Sequence, residues 1–438
     1  MLRTIRILIL LGLLVLAYAT TVRAASATVV VVTADGVVNP VLADYISRGI
    51  EEAEELSATV CIIQLDTPGG LDTAMRDIVQ DIVNARIPVV VYVSPSGARA
   101  ASAGVFITVA GHVAAMAPNT AIGAASPVSL GPEGEAQMSE TMQEKVMNDA
   151  AAYIRSIAEA QGRNVEWAER AVREAVSATE QEALELNVID IVAADLDSLI
   201  SELDGWEVTL LGGAVVTIET QDAVIHRIDM NWVEQFLFAI TDPNIAFVLL
   251  SLATLGLFVE ISNPGLVFPG VVGGICLILA FYSLGNLPVN IAGILLVVGA
   301  FGLFIAEVLT ESFGLFTAGG VTSMVLGSLI LFKGGPLFRV NPWLIGVIAV
   351  TIAGVTIFIV TRVLVAHRRQ PTTGREELVG KTALVKATLS PEGIVLFKGE
   401  RWTAVSEEGR VEPGETVVID RVDSLKLYVS KQRRGADI

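Results

Sequence analysis

Apolar and polar positions change their period several times along this chain, and each change marks a different kind of element. Thr28–Thr33, Val60–Asp66, Pro88–Val93 and Val113–Met116 are short and almost continuously apolar, as strands are when both faces of a sheet are covered. Between them, Val41–Leu56, Thr73–Ala85, Ser102–Ala110 and Glu140–Gln161 carry the spacing of helices. Val165–Ala175 reads as a further helix leading into Thr179–Asp190, and the stretch to Met230 alternates weakly, as strands do. Strands alternating with helices in this order predict an α/β domain built on a mostly parallel sheet.

From about Asn231 to Ala366 the polar positions nearly vanish. Five apolar spans are predicted, near Ile245–Val259, Leu266–Leu284, Ile291–Val308, Phe313–Phe332 and Trp343–Val365. The first has about 15 residues and the rest about 18 to 23, against the ~20 that cross a bilayer. Connections such as Ser262-Asn263-Pro264 leave room only for hairpins between spans. Gly270, Gly273, Gly274, Gly319, Gly320 and Gly327 let helices approach closely in lipid. Glu260 and Glu307 fall at or near span ends, and Glu307 is the candidate for a functional intramembrane acid.

After a linker, Gln370-Pro371-Thr372-Thr373-Gly374, the period returns to two. Thr382–Thr388, Gly393–Phe397, Glu400–Ala404, Glu415–Asp420 and Leu425–Val429 read as strands divided by Pro391-Glu392-Gly393 and Pro413-Gly414. Five short strands in so few residues predict a small closed barrel of the OB type, with Trp402 and Tyr428 as core or interface residues. At the other end, Arg3 and Arg6 precede the apolar run Ile7–Val15, and Ala24, Ala25 and Ala27 follow. That pattern predicts a secretory signal peptide over residues 1–24, with an uncleaved anchor helix as the alternative. The expected divisions are therefore 1–24, 25–230, 231–366 and 374–438.

Composition narrows the class. With 53% hydrophobic and 17% charged residues and a mean hydropathy of +0.63, a wholly soluble protein is excluded as the ordinary case. The net charge of −18 resides mostly in the first domain and removes nucleic acid as a partner, because phosphate binding needs a basic surface. Two cysteines and three scattered histidines provide neither a disulfide framework nor a zinc cluster. Arg362, Arg368 and Arg369 flank the last span and predict a cytoplasmic C-terminus. Five spans after an exported domain end on the same side, although the Lys333–Arg339 loop then falls outside, against the charge rule.

Candidate chemistry lies in two strand-to-helix turns. Asp66-Thr67-Pro68-Gly69-Gly70 follows one buried strand, and Gly97–Gly104 follows the next and opens a helix. The open ends of a parallel sheet gather functional residues. Backbone N–H groups at a helix start favour developing negative charge, so a serine there has oxyanion donors beside it. A helix cap or a packing residue is the plainer reading of such a serine. For a base, His112 and His226 are weak candidates. Lys145 is the only lysine before Lys333, and a desolvated lysine can lose its proton where arginine cannot. Burial beside Met142 and Val146 is expected for that role, whereas a surface pair with Asp149 at i,i+4 is the plainer alternative.

Asp66–Gly70, Ala100–Gly104 and Ala117-Pro118-Asn119-Thr120 resemble the core of the Clp-type serine peptidases. With the membrane spans and Gly399-Glu400-Arg401-Trp402-Thr403-Ala404 in a terminal barrel, nearly the whole chain resembles the long form of the NfeD family. The resemblance implies a Clp/crotonase-like α/β peptidase domain, then a polytopic helical membrane region, then an OB-like barrel. It implies Ser102 as nucleophile, with Gly69, Gly70 and the Ala103 amide as the oxyanion hole. Clp peptidases keep a histidine where this chain has Ala125, so the resemblance implies a Ser102/Lys145 dyad instead, with Ser126 or Thr120 as candidates to orient the lysine. No cofactor or metal is expected. A protein or peptide substrate with apolar segments, stomatin-like membrane partners, the lipid bilayer and a homo-oligomeric state are expected. The location would be the cytoplasmic membrane, with the peptidase domain outside and the barrel inside. The alternatives are a non-catalytic membrane scaffold that binds stomatin-like partners, and a crotonase-type acyl-CoA enzyme; export and the acidic domain weigh against the latter.

Overall fold

The computed structural model describes residues 27–127, 140–262, 265–310, 314–333, 338–368 and 378–432. The expected signal peptide, the Ser129–Ala136 loop before Lys145 and the Gln370–Gly374 linker lie outside them.

The first domain opens with β1 (Thr28–Asp35), α1 (Pro40–Glu55), β2 (Val60–Asp66), α2 (Asp72–Asn84) and β3 (Val89–Val93). β4 (Arg99–Ala101), α3 (Ala103–Ala110), β5 (Val113–Met116), β6 (Ala121–Gly123), α4 (Glu140–Ala160) and α5 (Val165–Arg173) follow. It ends with β7 (Ser177–Thr179), α6 (Glu180–Glu185), β8 (Ile191–Val192), α7 (Leu196–Glu202), β9 (Trp206–Thr209), β10 (Val215–Ile218) and β11 (Val224–Ile228). The main sheet has the order β11-β1-β2-β3-β5-β8, and every neighbouring pair is parallel.

The continuous apolar runs have the expected cause, since both faces of this sheet are covered. Val30, Val32, Ile63, Val91 and Met116 pack with the helices into one core. Val31, Ile62, Val90 and Val113 form a row across the strands and share a second core with Leu199, Leu203, Val208 and Ile218. The weakly alternating tail thus covers the second face with α7 and the β9–β10 hairpin, which antiparallel pairing joins. β11 then returns to pair with β1, protecting an edge that would otherwise expose its backbone. A second sheet, β4-β6-β7, uses strands of three residues each, too short to show a period.

The helical region contains α8 (Trp232–Ile240), α9 (Pro243–Ser262), α10 (Val267–Gly285), α11 (Ile291–Leu309), α12 (Leu315–Leu329) and α13 (Pro342–Arg368). α9 to α13 stand where five apolar spans are expected. Of these, α9 and α10 are long and apolar enough by themselves to cross a bilayer over their described residues. They pack glycine to backbone: a Cβ on Gly256 would lie 2.6 Å from the Pro269 carbonyl oxygen, and one on Gly273 2.9 Å from that of Ala253. α8 is an additional element with a different partner. An Asn231/Glu234 capping box starts it, and Glu234 accepts hydrogen bonds from Arg48 of α1 at 2.7 Å. Glu307 accepts the backbone N–H of Gly314 at 2.8 Å, so this buried carboxylate serves the start of α12.

The chain forms two compact units, the α/β domain with most of the helical region, and the barrel with the end of α11 and the second half of α13. The barrel contains β12 (Thr382–Ala387), β13 (Glu392–Phe397), β14 (Glu400–Ser406), β15 (Thr416–Asp423) and β16 (Lys426–Lys431). It closes in the order β12-β13-β14-β16-β15. Alternate side chains such as Val385, Val395, Ala404, Ile419 and Leu427 fill it. Trp402 packs against that core, while the Tyr428 ring lies 3.7 Å from the Arg421 guanidinium carbon.

Candidate active site

The turn that leaves β2 is clamped to β4 by its backbone. Thr67 N–H donates to the Arg99 carbonyl at 2.8 Å, and Ala101 N–H to the Thr67 carbonyl at 3.1 Å. The Asp66 carboxylate accepts from Arg99 N–H at 3.0 Å. β4 therefore ends at a fixed place beside Gly69 and Gly70, and the chain must pass from strand to helix in one residue. That residue is Ser102. Its φ of 53° and ψ of −111° are a conformation that side chains rarely adopt, worth roughly 1–3 kcal/mol of strain. Ser102 sits at the cap position of α3, yet its side chain makes no cap hydrogen bond. The cap reading of this serine is thereby excluded. A sharp, strained strand-to-helix turn is how a nucleophilic hydroxyl is held proud of a sheet.

Gly69 makes this turn sterically feasible. A Cβ there would lie 2.7 Å from Ser102 Cβ and 3.2 Å from its Oγ, and its φ is +115°. Its N–H is engaged, donating to Thr67 Oγ1 at 3.0 Å. Gly70 and Ala103 differ, because their backbone N–H groups find no acceptor among the described residues. Gly70, Ser102 and Ala103 all border one cavity of about 440 Å³, and Lys145 borders it too. Leu71, Met75, Phe106, Val146 and Phe338 supply much of its apolar lining.

Lys145 differs from expectation in two respects. It is exposed rather than partly buried, and it does not pair with Asp149. Arg76 of α2 takes that carboxylate at 2.5 Å, while also bonding Asp72 at 2.8 Å and stacking 4.4 Å from the Tyr153 ring centre. A planar guanidinium can serve two carboxylates and a ring together, which an ammonium one turn away cannot. Among the described residues Lys145 makes no ion pair. Of the two candidates to orient it, Ser126 Oγ donates to the Val172 carbonyl and Thr120 Oγ1 to that of Ala117, each at 2.5 Å, which leaves only the acceptor side of each hydroxyl for a lysine. Ala125 also lines the cavity.

Neither histidine borders this cavity. His112 sits at the far end of β5, where its Nδ1 accepts from Val89 N–H at 3.2 Å. Burial, helped by the Arg163 charge, pushes it down to about 4, so it is neutral at physiological pH. His226 lies on β11 at the sheet edge. Burial pushes the Cys61 thiol up to about 12, which removes it as a nucleophile. Sequence reasoning missed Thr67, Arg76 and Phe338. Thr67 lay inside a noted turn, but nothing local distinguished Arg76 or Phe338 from an ordinary helix face or loop.

Three family models match along the chain. The NfeD1b N-terminal domain matches residues 28–203, the NfeD integral membrane domain residues 244–362, and the NfeD-like C-terminal, partner-binding domain residues 375–431. The membrane-bound protease PH1510 of Pyrococcus horikoshii is 37% identical over 435 residues, covering 97% of this chain and 98% of the relative. The membrane protein NfeD1b of Bacillus subtilis is 28% identical over 441 residues, covering 93% of each. A solved structure of the 1510-N membrane protease from Pyrococcus horikoshii, described as specific for a stomatin homolog, is 34% identical with a TM-score of 0.43, covering 50% of this chain and all of that one. Domain order, membrane region and near full-length identity together establish that this chain is a membrane protein belonging to the NfeD family, in its long form.

Proposed function

We propose that this chain is a membrane-anchored serine endopeptidase that uses Ser102 and Lys145. The observation that carries the reading is the strained turn at Ser102, whose uncapped hydroxyl faces the same cavity as two unpartnered amides and Lys145. A full-length relative called a membrane-bound protease supports the reaction class. Ser102 Oγ attacks a peptide carbonyl carbon while neutral Lys145 Nζ removes the hydroxyl proton. The N–H groups of Gly70 and Ala103 receive the oxyanion, and Gly69 leaves the space that the turn requires. The lysine then protonates the leaving amine, and it activates the water that hydrolyses the acyl-enzyme. None of these steps calls on a metal or cofactor.

The apolar lining from Leu71, Met75, Phe106 and Val146 supports apolar peptide segments as substrates. The family resemblance implies a stomatin-like partner, and the match of residues 375–431 to a partner-binding domain supports the barrel as its contact. Five apolar helices and the arginines after them support an extracytoplasmic peptidase domain and a cytoplasmic barrel.

The test is a fluorophosphonate probe applied to the full chain in a bilayer. Labelling is expected on the wild type and not on Ser102→Ala, with cleavage of an apolar peptide lost in parallel. Labelling that persists in Ser102→Ala would overturn the assignment of the nucleophile.

A further inference from the structure

One end of the helical region reaches the rim of the catalytic cavity. Ala246 of α9, Leu287 between α10 and α11, and Phe338 between α12 and α13 form an apolar cluster with Val37 and Leu71 of the α/β domain. Backbone hydrogen bonds hold these connections together. Asn290 N–H donates to the Leu331 carbonyl at 2.8 Å, and Lys333 N–H to that of Pro288 at 2.7 Å. Asn341 N–H donates to Asn244 Oδ1 at 2.8 Å. Phe338 is 5% exposed and borders the same cavity as Ser102 and Lys145.

We infer that Phe338 is a specificity-determining residue, through which the membrane region supplies part of the wall that accepts an apolar side chain of the peptide. This rests on the peptidase reading and adds to it, because the choice of substrate is then shared between two parts of the chain. The physical basis is differential burial. An apolar side chain entering beside Phe338, Leu71 and Met75 leaves water for an apolar wall. A polar one would lose its hydration without a partner. The aromatic ring is held by the cluster, so the wall exists before the peptide arrives and little ordering is needed on binding. Because Phe338 lies between α12 and α13, the wall is anchored to the apolar helical region rather than to the α/β domain.

Binding separates this inference from the reaction. In full-length Ser102→Ala protein in detergent, a fluorescein-labelled hexapeptide rich in leucine and valine is titrated by anisotropy. Adding Phe338→Ala is expected to weaken binding about 3- to 10-fold, while Phe338→Leu stays within about twofold. A serine- and glutamine-rich hexapeptide should bind weakly and equally to all three proteins. With Ser102 intact, the same Phe338→Ala change should raise KM for the apolar peptide and leave kcat unaltered. Equal binding of the apolar peptide with and without Phe338→Ala would overturn the inference, as would equal weakening for both peptides. If the wild type does not cleave but Phe338→Ala still weakens apolar binding selectively, the peptidase reading fails and this one stands.

Discussion

At the N-terminal end of β5, Arg163 donates to the carbonyls of Val109 at 2.7 Å and Gly111 at 2.8 Å, and to Asp190 at 2.6 Å. Asp190 in turn accepts from Ala114 N–H at 2.7 Å, and His112 is hydrogen-bonded beside them. At the other end of the same sheet, the hydroxyl of Ser102 and the amides of Gly70 and Ala103 find no partner among the described residues, and they border an open cavity. Both ends hold the residue types from which catalytic sites are made. Enclosed and paired polar groups hold a fold together, whereas unpaired ones around a cavity are set to meet something that is not part of the chain.

The largest effect expected is on cleavage. Ser102→Ala and Lys145→Ala should each lower kcat/KM for an apolar peptide by about 10³- to 10⁴-fold with no change in unfolding temperature. The double variant should be no worse than either one, because the two act as a unit. Losses that multiply would separate them, and full activity in Lys145→Ala would remove the dyad. At the closed end, Arg163→Met leaves Asp190 and two carbonyls without their partner. It should cost about 3–5 kcal/mol, read as the urea midpoint from tryptophan fluorescence. A loss below about 1 kcal/mol would show that this end is not held by its ion pair.

Gly69→Ala tests the open end by steric means. Its Cβ would meet Ser102 Cβ at 2.7 Å, so kcat should fall about 10- to 100-fold, with a stability loss of about 1–2 kcal/mol from the positive φ. Wild-type kcat in this variant would show that the turn tolerates displacement.

The smallest effect concerns pH. His112 titrates near 4 when folded and near ~6.5 when unfolded. Between those values the unfolded chain binds the extra proton, so stability is complete above ~6.5 and declines as the pH falls towards 4. The decline should be about 1–2 kcal/mol, allowing for partial exposure, and should shrink in His112→Asn when urea midpoints are compared at the two pH values. Cleavage between pH 6.5 and 9 should keep its shape in His112→Asn and rise with pH, since the proposed base works as a neutral amine. A profile that moves with His112→Asn would transfer catalysis to the closed end.

Much of the architecture follows from local period. Val60–Asp66 and Val113–Met116 are strands with the expected bounds, because each residue's burial is written in its own polarity. The same holds for the five apolar helices and for the alternation in the barrel. The motifs also pointed to Ser102 and to the glycines beside it. What they left open was conformation and partnership. The backbone angles of Ser102 arise because β4 is bonded to the turn after β2, a restraint applied from 33 positions away. Asp149 had a lysine one helical turn away, yet it pairs with Arg76, 73 positions distant, since packing α2 near α4 offers a better-shaped cation. For the same reason no local pattern marks Phe338 as part of the cavity. Side-chain polarity is a property of each residue and is legible one residue at a time. Which groups meet depends on chain closure over long separations, and only the folded chain decides it.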